Sequence, residues 1–200
     1  MFETRLTLLS HKPTRRDFLK GTGILVVSFS LPCALRTAAA QSTAAPKTVT
    51  LDEVDAFLAI DTSGHVTLYS GKVEMGTGVS TALTQIVAEE LDVSLASIDV
   101  IEGDTALTPA QGKTWGSLTI QAGGPQIHQA AATARQALLQ EAAKQLSAPA
   151  SDLIVEQATV KLRSGAKQVT YAKLIGGKNF SLKLDKQAPL KDPANYKIIG

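Results

Sequence analysis

The chain has 200 residues, 44% of them hydrophobic and 19% charged, which is the make-up of one globular domain or one and a half rather than of a disordered chain. Aromatic residues are only 4%, too few to build a stacking platform for single-stranded nucleic acid. The net charge of +2 hides an asymmetry: six of the 20 basic and two of the 18 acidic residues lie in residues 1–40, and the remaining 14 basic and 16 acidic residues leave the rest at −2, which argues against a nucleic-acid or anionic-membrane partner.

The first 40 residues read as an address. Thr14-Arg15-Arg16-Asp17-Phe18-Leu19-Lys20 precedes an apolar run from Gly21 to Leu35, and Arg36-Thr37-Ala38-Ala39-Ala40-Gln41 follows. A basic region, a short apolar segment and a small-residue A-x-A site make a secretory signal. The arginine pair followed by Phe18-Leu19-Lys20 is of the twin-arginine kind. The run is shorter than the roughly 20 residues of a membrane span and is broken by Pro32. Residues 1–40 are therefore expected to be a twin-arginine signal peptide, cleaved after Ala40 on export to the periplasm. Left uncleaved, it would tether the protein to the membrane. Cys33 lies inside it, so a processed chain has no cysteine for a disulfide or an iron–sulfur cluster.

Residues 41–52, Ala/Ser/Thr-rich with Pro46, read as a linker. Asp55 to Ile60 and His65 to Ser70 read as strands joined by the turn Asp61-Thr62-Ser63-Gly64. Val66 and Leu68 alternate with His65, Thr67 and Tyr69, the pattern of a half-buried strand. Gly71 to Gly78 then turns into an amphipathic helix, Val79 to Leu91. Val79, Ala82, Leu83, Ile86, Val87 and Leu91 share one face; Ser80, Thr81, Thr84, Gln85, Glu89 and Glu90 share the other. Gly76 and Gly78 permit a sharp turn and close approach of a ligand. The free N–H groups and positive dipole end at the helix start favour a phosphate or other oxyanion at Gly76-Thr77-Gly78.

A strand at Ile98 to Ile101 completes a β-α-β arrangement. Glu102 to Gly116 has no periodicity, and a loop of that length within a compact domain is either functional or mobile. A second glycine turn, Gly123-Gly124, opens a second helix from Pro125 to Leu146, with Ile127, Ala130, Ala131, Ala134 and Leu138 as its buried stripe. Short strands follow at Leu153–Glu156, Thr159–Leu162 and Gln168–Thr170, and Thr170 caps a short helix over Tyr171 to Ile175. From Gly176 the chain is Lys-rich and Pro-punctuated with no compact element, so residues 176–200 read as a linker.

The stretch G-K-V-E-M-G-T-G-V-S-T-A-L-T-Q-I-V-A-E-E-L (Gly71–Leu91), with Gly103-Asp104-Thr105 and the segment Thr114 to Gly124, resembles the molybdopterin-binding subunit of the xanthine dehydrogenase and aldehyde oxidase family. It is most similar to the exported branch typified by the large (beta) chain of isoquinoline 1-oxidoreductase, and the likeness extends over residues 52–200. The resemblance implies an α+β fold, a mixed sheet with helices packed on one face, with residues 53–175 forming an incomplete segment of a molybdenum-cofactor-binding domain. It implies that Gly76, Thr77 and Gly78 lie against a molybdenum–molybdopterin cytosine dinucleotide. The family often has Gln between those glycines; Thr77 here is shorter. It also implies that Thr114, Gly116, Ser117 and Thr119 lie along the dinucleotide's phosphates. Ser117 and Thr119 have a structural alternative, hydrogen bonding to nearby backbone. His128 falls where a basic residue is expected, as a phosphate contact or as the polar face of its helix. Glu74 is open between a site residue and a solvated loop carboxylate, and Trp115 between packing and a substrate funnel. His11 and His65 read as surface residues, and Asp104 as a loop-ordering acid.

The family's catalytic glutamate, a general base near the far C-terminus, has no counterpart here, and no metal ligand is assigned. The expected function is the N-terminal part of an exported molybdenum hydroxylase large subunit, an oxidoreductase acting on an aldehyde or N-heterocycle and inactive as these 200 residues alone. The implied partners are a small [2Fe-2S] subunit and a cytochrome c electron acceptor. The alternative is a non-catalytic periplasmic α+β module that binds an anionic ligand at the two glycine turns.

Overall fold

Alternation and helical periodicity produce the elements they announce. The computed structural model describes residues 24–27, 57–176 and 179–199. Strands β1 (Ile24–Val27), β2 (Leu58–Asp61), β3 (Val66–Ser70), β4 (Ile98–Glu102) and β8 (Asn179–Leu182) form one mixed sheet in the order β4-β3-β2-β1-β8. The outer pairs β3–β4 and β1–β8 are parallel, and the inner pairs β1–β2 and β2–β3 are antiparallel. Helix α1 (Val79–Leu91) links parallel neighbours β3 and β4, as a β-α-β unit requires. Helix α2 (Gly124–Leu146) packs along α1 and on the sheet. A smaller antiparallel sheet, β5 (Leu153–Glu156), β6 (Thr159–Leu162) and β7 (Gln168–Thr170), leads into α3 (Tyr171–Ile175). The fold is thus α+β with a mixed sheet, and Thr170 caps α3 by accepting the Lys173 N–H at 3.3 Å.

The core lies between the sheet and the helices. Val66 and Leu68 point into it from β3, Leu83, Val87 and Leu91 from α1, and Ile127, Ala130, Ala131, Ala134 and Leu138 from α2. The alanines let the two helix backbones come close. Tyr171 is fully buried and its hydroxyl donates to the Leu91 carbonyl at 3.0 Å, fastening α3 to the end of α1.

Two readings of the chain are corrected. Residues 176–200 are not a featureless linker. They supply the edge strand β8, and the segment 185–199 lies across the C-terminal end of α1. That strap explains the second correction: Glu89 and Glu90, placed on a solvated face by periodicity, are buried. Glu89 accepts the N–H groups of Lys197, Ile198 and Ile199 at 2.9, 2.7 and 3.2 Å, and the Lys191 ammonium at 2.8 Å. Glu90 accepts from His128 at 2.7 Å, from Arg135 at 2.8 Å and from the Lys191 N–H. A buried charge needs such partners, and they come from residues too far along the chain for periodicity to register.

Within the apolar run of the expected signal peptide, Ile24–Val27 is an interior strand, with Leu25 and Val27 each 1% exposed. The twin arginines, the cleavage site, the linker 41–52 and His11 lie outside the described residues.

Candidate functional site

The glycine-rich stretch after β3 and the long loop after β4 meet because β3 and β4 are adjacent and parallel, so both strands deliver their C-terminal ends to one edge. Gly71 comes so close to the loop that a Cβ there would stand 1.9 Å from the Pro109 carbonyl oxygen. A row of polar contacts joins the segments. The Gly71 N–H and the Ser70 hydroxyl donate to Gln111 Oε1 at 2.9 and 3.3 Å. The Lys72 ammonium donates to the Lys113 carbonyl at 2.7 Å, and the Val73 N–H to Thr114 Oγ1 at 3.1 Å. Gln111 Nε2 then donates to Gln126 Oε1 at 2.9 Å, carrying the row to α2. Burial lowers the Lys72 pKa below the usual lysine value.

The structure therefore joins the stretch before the first assigned turn, Gly71 to Val73, to the stretch before the second, Gln111 to Thr114. Gly76, Thr77 and Gly78 are exposed at the tip of the first turn. Gly76 and Gly78 have φ of 82° and 77°, with nothing within 4 Å of where a Cβ would stand. The left-handed backbone, not crowding, demands glycine there. Gly116 and Ser117 are exposed and also left-handed, at φ 60° and 57°. Thr119 is buried and begins a π-helical turn, Thr119–Gly123, that runs straight into α2. Such widened turns concentrate at functional sites. Thr114 is engaged by Val73 within the protein.

Glu74 is neither free nor solvated at random. Its carboxylate accepts the N–H groups of Thr77 (2.5 Å), Gly78 (3.0 Å) and Ser80 (3.1 Å), and the Ser80 hydroxyl at 3.3 Å. Glu102 accepts the Glu74 N–H at 2.8 Å and bonds the Ser80 hydroxyl as well. The Ser80 N–H above all, with those of Thr77 and Gly78, holds the Glu74 pKa down at about 2. The anion predicted for this helix start is thus present as the protein's own carboxylate. His128 lies on the polar face of its helix and pairs with Glu90, which is about 18 Å along α1 from Gly78 at 1.5 Å per residue. His65 sits at the surface, where it pairs with Asp99 across β3–β4 at 3.0 Å. Asp104 orders its loop by accepting the Ala106 and Leu107 N–H groups.

Sequence reasoning missed Lys72, Ser80, Gln111 and Glu102. Lys72 and Ser80 lie inside the glycine motif and were available to it; Gln111 sits in an aperiodic loop with no local signal. The site is bordered by exposed apolar side chains on the same two segments: Val73 (42%), Met75 (64%), Trp115 (65%), Leu118 and Ile120. Among the described residues no three His, Cys, Asp or Glu side chains gather as metal ligands. An open double glycine turn, hydroxyls, backbone N–H groups, two lysines and an apolar border suit a large flat ligand with an anionic tail, bound through its organic part.

The chain matches the molybdopterin cofactor-binding domain family over residues 9–198. It is similar to one of the subunits of the nicotinate dehydrogenase of Pseudomonas putida, 37% identical over 188 residues, which is 94% of this chain and 16% of that one. It is also similar to the beta chain of the isoquinoline 1-oxidoreductase of Brevundimonas diminuta, 27% identical over 81% of this chain and 22% of the relative. Among solved structures, quinoline 2-oxidoreductase from Pseudomonas putida 86 superposes with a TM-score of 0.51 at 27% identity, over 58% of this chain and 15% of that one. The chain thus spans between about a seventh and a fifth of these proteins' lengths.

Proposed function

The chain belongs to the molybdopterin cofactor-binding domain family, and from that membership we propose that it is the N-terminal part of an exported molybdenum hydroxylase large subunit. The observation that carries this reading is the row of hydrogen bonds that ties Gly71, Lys72 and Val73 to Gln111, Lys113 and Thr114, so that the two glycine-rich stretches leave the sheet side by side. Gly76, Thr77 and Gly78 would hold one end of the cofactor, and Gly116, Ser117 and Thr119 the other. When bound, the cofactor supplies two-electron oxidation of an aldehyde or N-heterocycle with oxygen drawn from water. These residues bind and orient it. The apolar border of Val73, Met75, Trp115 and Leu118 keeps water from its flat face.

The cytosine dinucleotide form, a [2Fe-2S] small subunit and a cytochrome c acceptor belong to the same proposal. So does export through the Arg15-Arg16 signal. The similar proteins named for nicotinate and isoquinoline favour an N-heterocycle over an aldehyde. The test is to purify the protein from its own cells and measure molybdenum and acid-released nucleotide. Stoichiometric molybdenum with cytidine monophosphate supports the reading, and protein free of both under molybdate supply refutes it. Fractionation of cells carrying Arg15→Lys with Arg16→Lys tests export: the protein is expected to move from periplasm to cytoplasm.

A further inference from the structure

A helix start that points exposed N–H groups at a cofactor normally attracts its phosphates. Here that position is taken. Glu74 accepts three N–H groups at the entry of α1, from Thr77, Gly78 and Ser80, and Glu102 backs it through the Glu74 N–H and the Ser80 hydroxyl. The first turn therefore presents two carboxylates to anything that approaches. The facing segment, Lys113 to Gly123, has the opposite character, and Lys72, buried two residues before Glu74, reaches across to it. Lys72 lays its stem against Gly123, 3.5 Å from where a Cβ would stand, and its ammonium on the Lys113 carbonyl. The Lys113 side chain is exposed beside it, and neither the π-helical turn nor the first turn of α2 contains an acidic residue.

We propose that Glu74 is a positioning residue that fills the N-terminus of α1 and so excludes anionic groups from the Gly76-Thr77-Gly78 turn, which makes the cradle electrostatically polar. A phosphate entering the site meets like charge at the first turn and the exposed Lys113, with the buried Lys72 ammonium behind it, at the second, so a ligand with one anionic end has one favoured orientation. Thr77 then meets the uncharged part of the ligand through its hydroxyl, with Gly76 and Gly78 contributing shape rather than charge. The inference rests on the molybdopterin reading only for the identity of the ligand. The exclusion itself is a property of Glu74 and the turn.

Inorganic pyrophosphate, titrated into the isotopically labelled full chain, is the probe, with the amide resonances of Thr77, Gly78 and Ser80 followed beside those of Ser117 to Gly123. In the wild type the second group is expected to move and the first to stay still. In Glu74→Ala the first group is expected to respond too, with an affinity there at least about tenfold higher than in the wild type. Glu74→Gln keeps the size and one carbonyl acceptor for the cap while removing the charge, and serves if the alanine variant unfolds. A purely structural cap predicts lowered thermal stability in both variants with no pyrophosphate response at the turn, and that result overturns the proposal. So does movement of Thr77 and Gly78 in the wild type. If the second group is silent in the wild type while the first responds in the variants, the role of Glu74 stands and the placing of phosphates at residues 116–123 fails.

Discussion

Glycine at Gly71 and glycine at Gly76 answer different demands. At Gly71 the problem is space, because a methyl group would meet the Pro109 carbonyl oxygen at 1.9 Å. At Gly76 the space is open and only the backbone, φ 82°, is restrictive. Gly71→Ala is therefore expected to destabilise by about 3 kcal/mol and to push the 103–118 loop off β3, whereas Gly76→Ala costs about 1 kcal/mol. Chemical denaturation of both variants checks the order. Glu90, fully buried, answers His128, Arg135 and the Lys191 N–H at once. Its replacement by alanine strands the Arg135 guanidinium and leaves the His128 ring and the Lys191 N–H without their acceptor, and is expected to cost about 3–5 kcal/mol on the same measurement. Glu89 gives the pH dependence. Burial alone would raise its pKa, but the Lys191 ammonium and three strap N–H groups outweigh it and hold it at about 2, below the ordinary 4.5. A depressed folded-state pKa means stability that is complete above pH about 4.5 and is lost as pH falls toward 2. Acid titration of thermal stability should show that loss, and Glu89→Gln should flatten it while lowering stability at pH 7.

At the scale of elements, β1 is the piece whose origin and place differ most. Four residues of an apolar run that reads as an export signal lie between β2 and β8, with Leu25 and Val27 inside the core and the Phe57 N–H donating to the Val27 carbonyl at 3.1 Å. A carboxylate at Leu25 would be buried without a partner. In the unprocessed chain, which keeps residues 1–40, Leu25→Asp is expected to lower the melting temperature by roughly 10 °C, from a loss of about 3–4 kcal/mol in a chain of this size. An unchanged melting temperature would mean that the sheet does not depend on β1. Helix α1 shows what periodicity can and cannot convey. Its apolar stripe is where the sequence puts it, but its last turn is buried on every side because the 185–199 strap closes over it. Alanine-rich α2 packs close to α1 for the reason its composition suggests, since small side chains let backbones approach.

At the scale of the whole molecule, the cradle is open and rimmed with apolar side chains. Trp115 is 65% exposed and is the chain's single tryptophan, so its fluorescence reports on the site. The free protein is expected to show the red-shifted emission of a water-exposed indole. Loading with cofactor should shift that emission to the blue or quench it, and an unchanged spectrum in loaded protein would place the cofactor elsewhere. The similar proteins are about four and a half to seven times as long as the stretch they share with this chain. An exposed apolar patch beside the proposed cofactor residues is the kind of surface that further protein covers.

Whatever depends on near neighbours along the chain was legible before folding. Hydrophobic spacing set α1 to its residue boundaries, alternation set β3, and composition set the turns and the short strands from Leu153 to Thr170. The glycine motifs marked the family, and Gly76 and Gly78 marked the start of α1 because left-handed positions before a helix demand glycine; Gly123 and Gly124, read as a second turn, are instead right-handed (φ −85° and −56°) and belong to the helical run itself. Folding alone reveals that Glu74 fills the helix start, that Glu89 and Glu90 are buried, that His128 pairs with Glu90, and that β1 and β8 complete the sheet. Each of these rests on a partner supplied by the folded backbone. A carboxylate reads as solvated until the N–H groups that surround it are known, and for Glu89 those groups lie more than 100 residues away.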